Sequence, residues 1–289
     1  YSRLLIGLSL GLSLVPVLFR IGGAEFAGLV GVLGATAGFA SIFLDIGQRA
    51  ILRELAGAWH ESSHEGFSAT YRACVVVSIL LALVSGLAFL GLAEFIPKFL
   101  GRFSPEVRDA SRTFIRITGV SASLELLLAP VVAMVLVREW MVWDNILAIA
   151  HRAPFLLSAL IVAGSPEAHD IASSLITYGW WCAALQLIVT GLAASVMLVA
   201  LPVLRHPFGR VSRDNLKAIL SLGAWNTLIG VSGRLQDRIG SVWMTALFGA
   251  SGAVAFDQIG FRLANYIRMV SSGLTRGLDA MASRRQAEA

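Results

Sequence analysis

The sequence predicts an all-α polytopic membrane protein of about eight transmembrane helices, arranged as a six-helix lobe plus the first hairpin of a second lobe. Three observations carry that reading. Hydrophobic residues make up 56% of the 289-residue chain and charged residues only 14%, with a mean hydropathy of +0.75, well above what a soluble globular domain needs. The apolar stretches run to about 20 residues without the period-2 alternation of a membrane barrel. Many of the 28 glycines fall within these stretches, where small residues let transmembrane helices approach closely.

The net charge of +5 belongs mostly to the loops. A basic balance of this kind fits loops beside anionic lipid. No basic run with interleaved aromatics is present, so the bilayer rather than nucleic acid is the expected partner. Cys74 and Cys182 both fall on predicted helices as small apolar side chains, and neither is assigned to a disulfide or a metal. No cofactor is expected.

Taken in order, the eight spans are 4–20, 26–47, 74–99, 113–137, 143–164, 174–204, 222–248 and 253–274. The first has the length of a signal peptide. Arg3 is its only basic flank, however, and a second hydrophobic segment follows at once, so it reads as a membrane helix. The connections 21–25 and 250–251 are short enough to force antiparallel hairpins. Residues 48–73 form a polar stretch with Arg49, Arg53 and Glu54 at helical spacing, expected to be an interfacial helix continuing from span two. Residues 104–116 are amphipathic enough to lie on the membrane surface or to extend span four outward. Pro16, Pro130 and Pro154 lie inside spans, where a missing N–H breaks the hydrogen-bond ladder and allows a kink. No linker long enough to join a separate soluble domain is visible. The expected division is 1–206 for the six-helix lobe and 207–289 for the start of a second lobe that is expected to be incomplete.

Orientation follows from Lys and Arg in the short loops. With the N-terminus inside, the cytoplasmic side holds twelve: Arg3, Arg49, Arg53, Arg72, Arg138, Arg205, Arg210, Arg213, Lys217, Arg276, Arg284 and Arg285. The opposite side holds six: Arg20, Lys98, Arg102, Arg108, Arg112 and Arg116. The N-terminus is therefore expected in the cytoplasm, with one discordant basic loop between spans three and four.

Spans seven and eight carry most of the intramembrane charge. Arg238 lies about 16 Å and Arg262 about 15 Å from the turn between them, near the midplane of a core roughly 30 Å thick. Arg234 and Arg268 match at about 22 and 24 Å. Asp237 and Asp257 are the acids of this hairpin, so four cations face two anions. An excess of arginine favours an anionic group such as a pyrophosphate, because the planar guanidinium binds phosphate oxygens bidentately and stays protonated when buried. Arg234, Asp237, Arg238, Arg262, Asn265 and Arg268 are the substrate-binding candidates, against the alternative of a structural ion-pair network. A second candidate site is His151 and Arg152 in span five, beside Pro154, with Glu125 in span four as a candidate partner. Asp45 and Arg49 have the spacing of a helical ion pair at the membrane edge, with function there secondary.

His60–His64 reads HESSH, a match to the H-E-x-x-H zinc signature. Two serines inside it, Gly66 close behind and the scatter of His151, His169 and His206 argue for a solvated loop instead.

The segment FLDIGQRAILREL, residues 43–55, resembles the end of the second span in polysaccharide exporters of the Wzx type, within the multidrug, oligosaccharidyl-lipid and polysaccharide flippase superfamily. FRIGGAEFAGLVG, residues 19–31, is similar to the family's first turn, and residues 237–266 to its seventh-eighth hairpin. Phe256 stands where the family commonly has Tyr, and the basic loop after span three departs from its pattern. The resemblance implies a flippase that moves undecaprenyl-diphosphate-linked oligosaccharide repeat units across a bacterial inner membrane by alternating access of two lobes. It also implies glycan polymerase and assembly proteins as partners, no enzymatic activity, and 12 or 14 spans, of which this chain covers the first lobe and one hairpin. Rival readings are a drug or lipid II exporter of the same superfamily, a membrane zinc protease using HESSH, and a non-transporting scaffold.

Overall fold

The computed structural model describes residues 2–61, 64–101, 103–165 and 170–206, with 211, 213, 215–217, 219, 240, 243–249, 260 and 264 beyond them; the side chains of 2–4, 35–49, 61 and 64 are outside the description. Every regular element among the described residues is helical: α1 (Ser2–Glu61), α2 (His64–Phe99), α3 (Pro105–Val137), α4 (Met141–Ala150), α5 (Ala153–Ala163) and α6 (Ile171–Ala200), closed by a 3₁₀ turn (Pro202–Arg205). Among the described residues five helical stretches, one of them α4 and α5 taken together, are long and apolar enough to cross a membrane. Spans seven and eight lie almost wholly outside the described residues, and so does the turn at 250–251. The end of span seven is described: residues 243–248 are helical and Gly249 follows with φ +70°, its N–H bonded to the Thr245 carbonyl at 2.8 Å.

The first expected hairpin is present. The helical path of α1 breaks at Gly22 (φ −153°, ψ 31°) and Gly23 (φ 64°, ψ −151°), the second a conformation that only glycine adopts freely. Direction reverses there. Gly7 lies against Arg152 at the start of α5 and Gly22 against Ile171 at the start of α6, so the leading segment climbs beside α5. The segment after the break descends again, because Ala50, Ile51, Leu55 and Ala58 share a core with Tyr71, Cys74, Val131 and Met197 at the far end of the bundle. Residues 48–73, expected as an interfacial helix, are divided between the continuous end of α1 and the beginning of α2. The rings of Trp59 near the end of α1 and Phe67 near the start of α2 lie 5.1 Å apart.

Other boundaries shift for local reasons. The basic segment before span four is the outward extension of that span: Ser104 caps α3 by accepting from the Val107 N–H at 3.4 Å, and Pro105 occupies the first turn, where its missing N–H has no consequence. Span six stops at Ala200 instead of 204, since Pro202 cannot continue the ladder. Span five is two helices, α4 and α5, rather than one. Pro16 and Pro130 sit within helices that continue through them.

Polar and apolar residues are distributed inside out. Leu83, Leu87, Val120, Leu192 and Val199 are more than half exposed, while Ser78, Ser85, Ser111, Ser158 and Ser174 are buried. A surface of this kind is tolerable in hydrocarbon and unfavourable in water. Glycines set the tightest helix contacts. A Cβ at Gly119 would lie 2.5 Å from Phe89 Cβ, and one at Gly179 would lie 2.8 Å from the Phe114 ring, which itself stacks on Tyr178 at 6.3 Å.

Charges mark the limits of the apolar zone. Between Arg72 and Glu94 α2 carries no charged residue, and between Arg116 and Arg138 α3 carries only Glu125. Each interval spans about 33 Å at 1.5 Å per residue, close to a bilayer core of about 30 Å. At one limit Glu94 accepts from Arg116 at 2.7 Å and faces Arg112 at 3.4 Å, with Arg112 also on Asp109 at 2.8 Å. Two arginines of the discordant basic loop are thus paired with carboxylates. At the other limit the Arg138 guanidinium lies 5.3 Å from the Trp59 ring centre and 5.6 Å from that of Trp140, and the Tyr71 hydroxyl donates to the Leu204 carbonyl at 3.2 Å.

Candidate functional site

Midway along the bundle, the α4–α5 span is broken at His151 and Arg152. Pro154 has no N–H to offer the Ala150 carbonyl, and its ring crowds that turn. The backbone tightens instead, with the Arg152 N–H bonded to the Ile149 carbonyl at 2.9 Å. A break at this depth turns two consecutive polar side chains out of one helical register into the bundle.

The His151 Nδ1 lies 2.7 Å from Nε2 of Gln186 on α6. The Gln186 side chain also reaches the carboxyl of Glu125 on α3, which is contacted by the Ser121 hydroxyl at 3.5 Å. Gln186 Oε1 is buried and accepts no hydrogen bond. By helical rise, Glu125 is about 14 Å from the Arg116 level and about 20 Å from Arg138, and Gln186 is about 24 Å beyond Asp170. Three separate spans therefore bring a carboxyl, a carboxamide and an imidazole to one level near the midplane.

Arg152 points to the neighbouring face and packs on Gly7 of α1 so closely that a methyl there would overlap its Nη1. Among the described residues its side chain makes no ion pair or hydrogen bond. An apolar groove of about 180 Å³, bounded by Val135, Trp143, Leu147, Ala150, Val189 and Met197, begins beside this cluster on its Arg138 side. One wall ends at Ala150, next to His151, and the other at Val189, one turn from Gln186.

Of the residues singled out in the sequence, His151, Arg152 and Glu125 come together, though Glu125 meets His151 through Gln186 rather than directly. Gln186 itself carried no expectation; its signal was being the sole amide side chain between Asp170 and Arg205. Arg234, Asp237, Arg238, Arg262, Asn265 and Arg268 lie outside the described residues. Asp45 and Arg49 lie on α1, one helical turn apart, with their side chains outside the description. His60 is exposed in the last turn of α1 and His64 opens α2, so the two histidines of HESSH belong to different helices and lack the shared face that the zinc signature requires. Among the described residues no group of three His, Cys, Asp or Glu could hold a metal ion. Both cysteines are free and buried.

Fold and site together define an all-helical membrane protein with a half-buried polar site at mid-depth on a broken span. No protein-family model, no curated protein and no solved structure matches the chain.

Proposed function

We propose that the chain is a membrane transporter, a flippase of the bacterial inner membrane that carries a lipid-linked oligosaccharide diphosphate by alternating access, with its N-terminus in the cytoplasm. The observation that carries this reading is Arg152: a guanidinium near the midplane, on a helix break, with no ion-pair partner among the described residues. Charge at that depth costs at least about 3 kcal/mol on insertion scales and usually faces a cavity or a ligand. A guanidinium recognises phosphate oxygens through two parallel hydrogen bonds, which suits a diphosphate. The groove starting at Ala150 and Val189 offers an apolar surface for the lipid tail beside that headgroup. Broken helices at the midplane are where secondary transporters place their substrates. Arg234, Arg238, Arg262 and Arg268 extend the same cationic logic to the second lobe.

The test is retention of undecaprenyl diphosphate by the full chain in detergent, measured by native mass spectrometry against undecaprenol as the uncharged control. Wild type is expected to retain the diphosphate in preference, and Arg152→Ala to weaken it about tenfold or more, equivalent to one charge-assisted contact of roughly 1.4 kcal/mol. Equal retention by wild type and Arg152→Ala, with both folded by circular dichroism, overturns the assignment.

A further inference from the structure

Glu125, Gln186 and His151 are not needed for recognising a diphosphate, and their geometry points elsewhere. When Gln186 Nε2 donates to His151 Nδ1 at 2.7 Å, that ring nitrogen is an acceptor and the imidazole is neutral, with its proton on Nε2. The amide also adjoins Glu125, and its carbonyl oxygen is left buried with no donor. An orphaned buried carbonyl of this kind costs about 1–3 kcal/mol. A proton on the facing atom of either neighbour removes the defect. With a proton on His151 Nδ1, the carboxamide turns over and Oε1 accepts from it. With the proton on Glu125 instead, the carboxyl becomes a donor beside the same carboxamide.

We infer that these three side chains form a binding site for a single proton, shared between α3, α6 and the α4–α5 break, in which the Gln186 carboxamide reports the protonation of one partner to the other. The surrounding elements carry few competing charges. On α3, Glu125 is the only charged group between Arg116 and Arg138, and α2 has none between Arg72 and Glu94. The leading segment of α1 has none between Arg3 and Arg20 and presents Gly7 to Arg152. Arg152 adjoins His151 in the chain, Asp144 lies two turns away on α4, and Cys182 lies one turn from Gln186 on α6. Because the site includes the break, a change in its hydrogen bonding acts on the span that also carries Arg152. The proton site itself stands apart from the identity of any substrate.

The test uses pH-difference infrared spectroscopy on the full chain reconstituted in phosphatidylcholine vesicles without substrate. Acidification is expected to produce a carboxylic-acid C=O band that Glu125→Gln abolishes. In Gln186→Leu, near in volume, the midpoint of that band is expected to move by about one pH unit or more, and His151→Ala is expected to move it as well. Persistence of the whole band in Glu125→Gln overturns the inference, and so does an unmoved midpoint in both Gln186→Leu and His151→Ala. Since Arg152 is intact and no diphosphate is present, either result leaves the substrate assignment to be judged separately.

Discussion

Replacing Gly119 by alanine tests the packing of α2 on α3 at its tightest point. The added methyl would sit 2.5 Å from Phe89 Cβ and 2.6 Å from Phe89 Cγ. Carbon atoms in favourable contact stand about 3.5–4.0 Å apart, so the two helices must separate locally by about 1 Å. A rotamer change at Phe89 gives no relief, because Cβ is fixed by the α2 backbone. Overpacking of this kind costs about 1–3 kcal/mol. Alanine also gains up to about 1 kcal/mol in helix propensity, which would mask part of the cost. Gly91→Ala removes that ambiguity, since Gly91 lies in α2 and a methyl added there would meet nothing within 4 Å. The propensity gain is then common to both variants and the gap between them is the packing cost alone. Thermal melts by circular dichroism in detergent are expected to place Gly119→Ala roughly 4–8 °C below Gly91→Ala, taking about 2 kcal/mol as the middle of the range. Coincident melts would refute the α2–α3 contact as described.

Two further predictions address the site and its anchor. Gly7→Ala puts a methyl where the Arg152 guanidinium lies, so it should reduce undecaprenyl diphosphate retention several-fold with every charge still present; retention at the wild-type level, alongside a loss in Arg152→Ala, would show that Arg152 acts from another position. Arg138→Ala removes two cation–π contacts, at 5.3 and 5.6 Å, and should lower stability by about 1–2 kcal/mol in the same melts, with Arg138→Lys recovering only part because an ammonium does not stack on indole; full stability in the alanine variant would count against the clamp.

Much of the helical organisation was legible because it rests on local chemistry. Gly22 and Gly23 announce a reversal, and Phe99 and Val137 end helices where the hydrophobic runs end. Boundaries failed where one residue overrides hydropathy. Pro202 stops α6 four residues before the apolar run does, and Ser104 with Pro105 begins α3 among charges that hydropathy assigns to a loop. The site was half legible. Arg152, His151 and Glu125 stand out as charge or potential charge in apolar sequence, whereas Gln186 is neutral and its importance depends on the vertical register of three helices. That register follows from contacts such as Gly119 on Phe89 and Gly179 on Phe114, which no single span encodes.

The paired limits of the apolar zone also restrict how the bundle can deform. Were α3 to slide along α2 by one turn, about 5.4 Å, it would part Arg116 from Glu94 and carry Arg116 or Arg138 into hydrocarbon, at about 3 kcal/mol for each buried charge. Those two helices therefore behave as a strut of fixed height, able to lean but not to telescope. The α4–α5 span is interrupted at Pro154 instead, and that proline-weakened middle is the compliant joint beside a stiff frame.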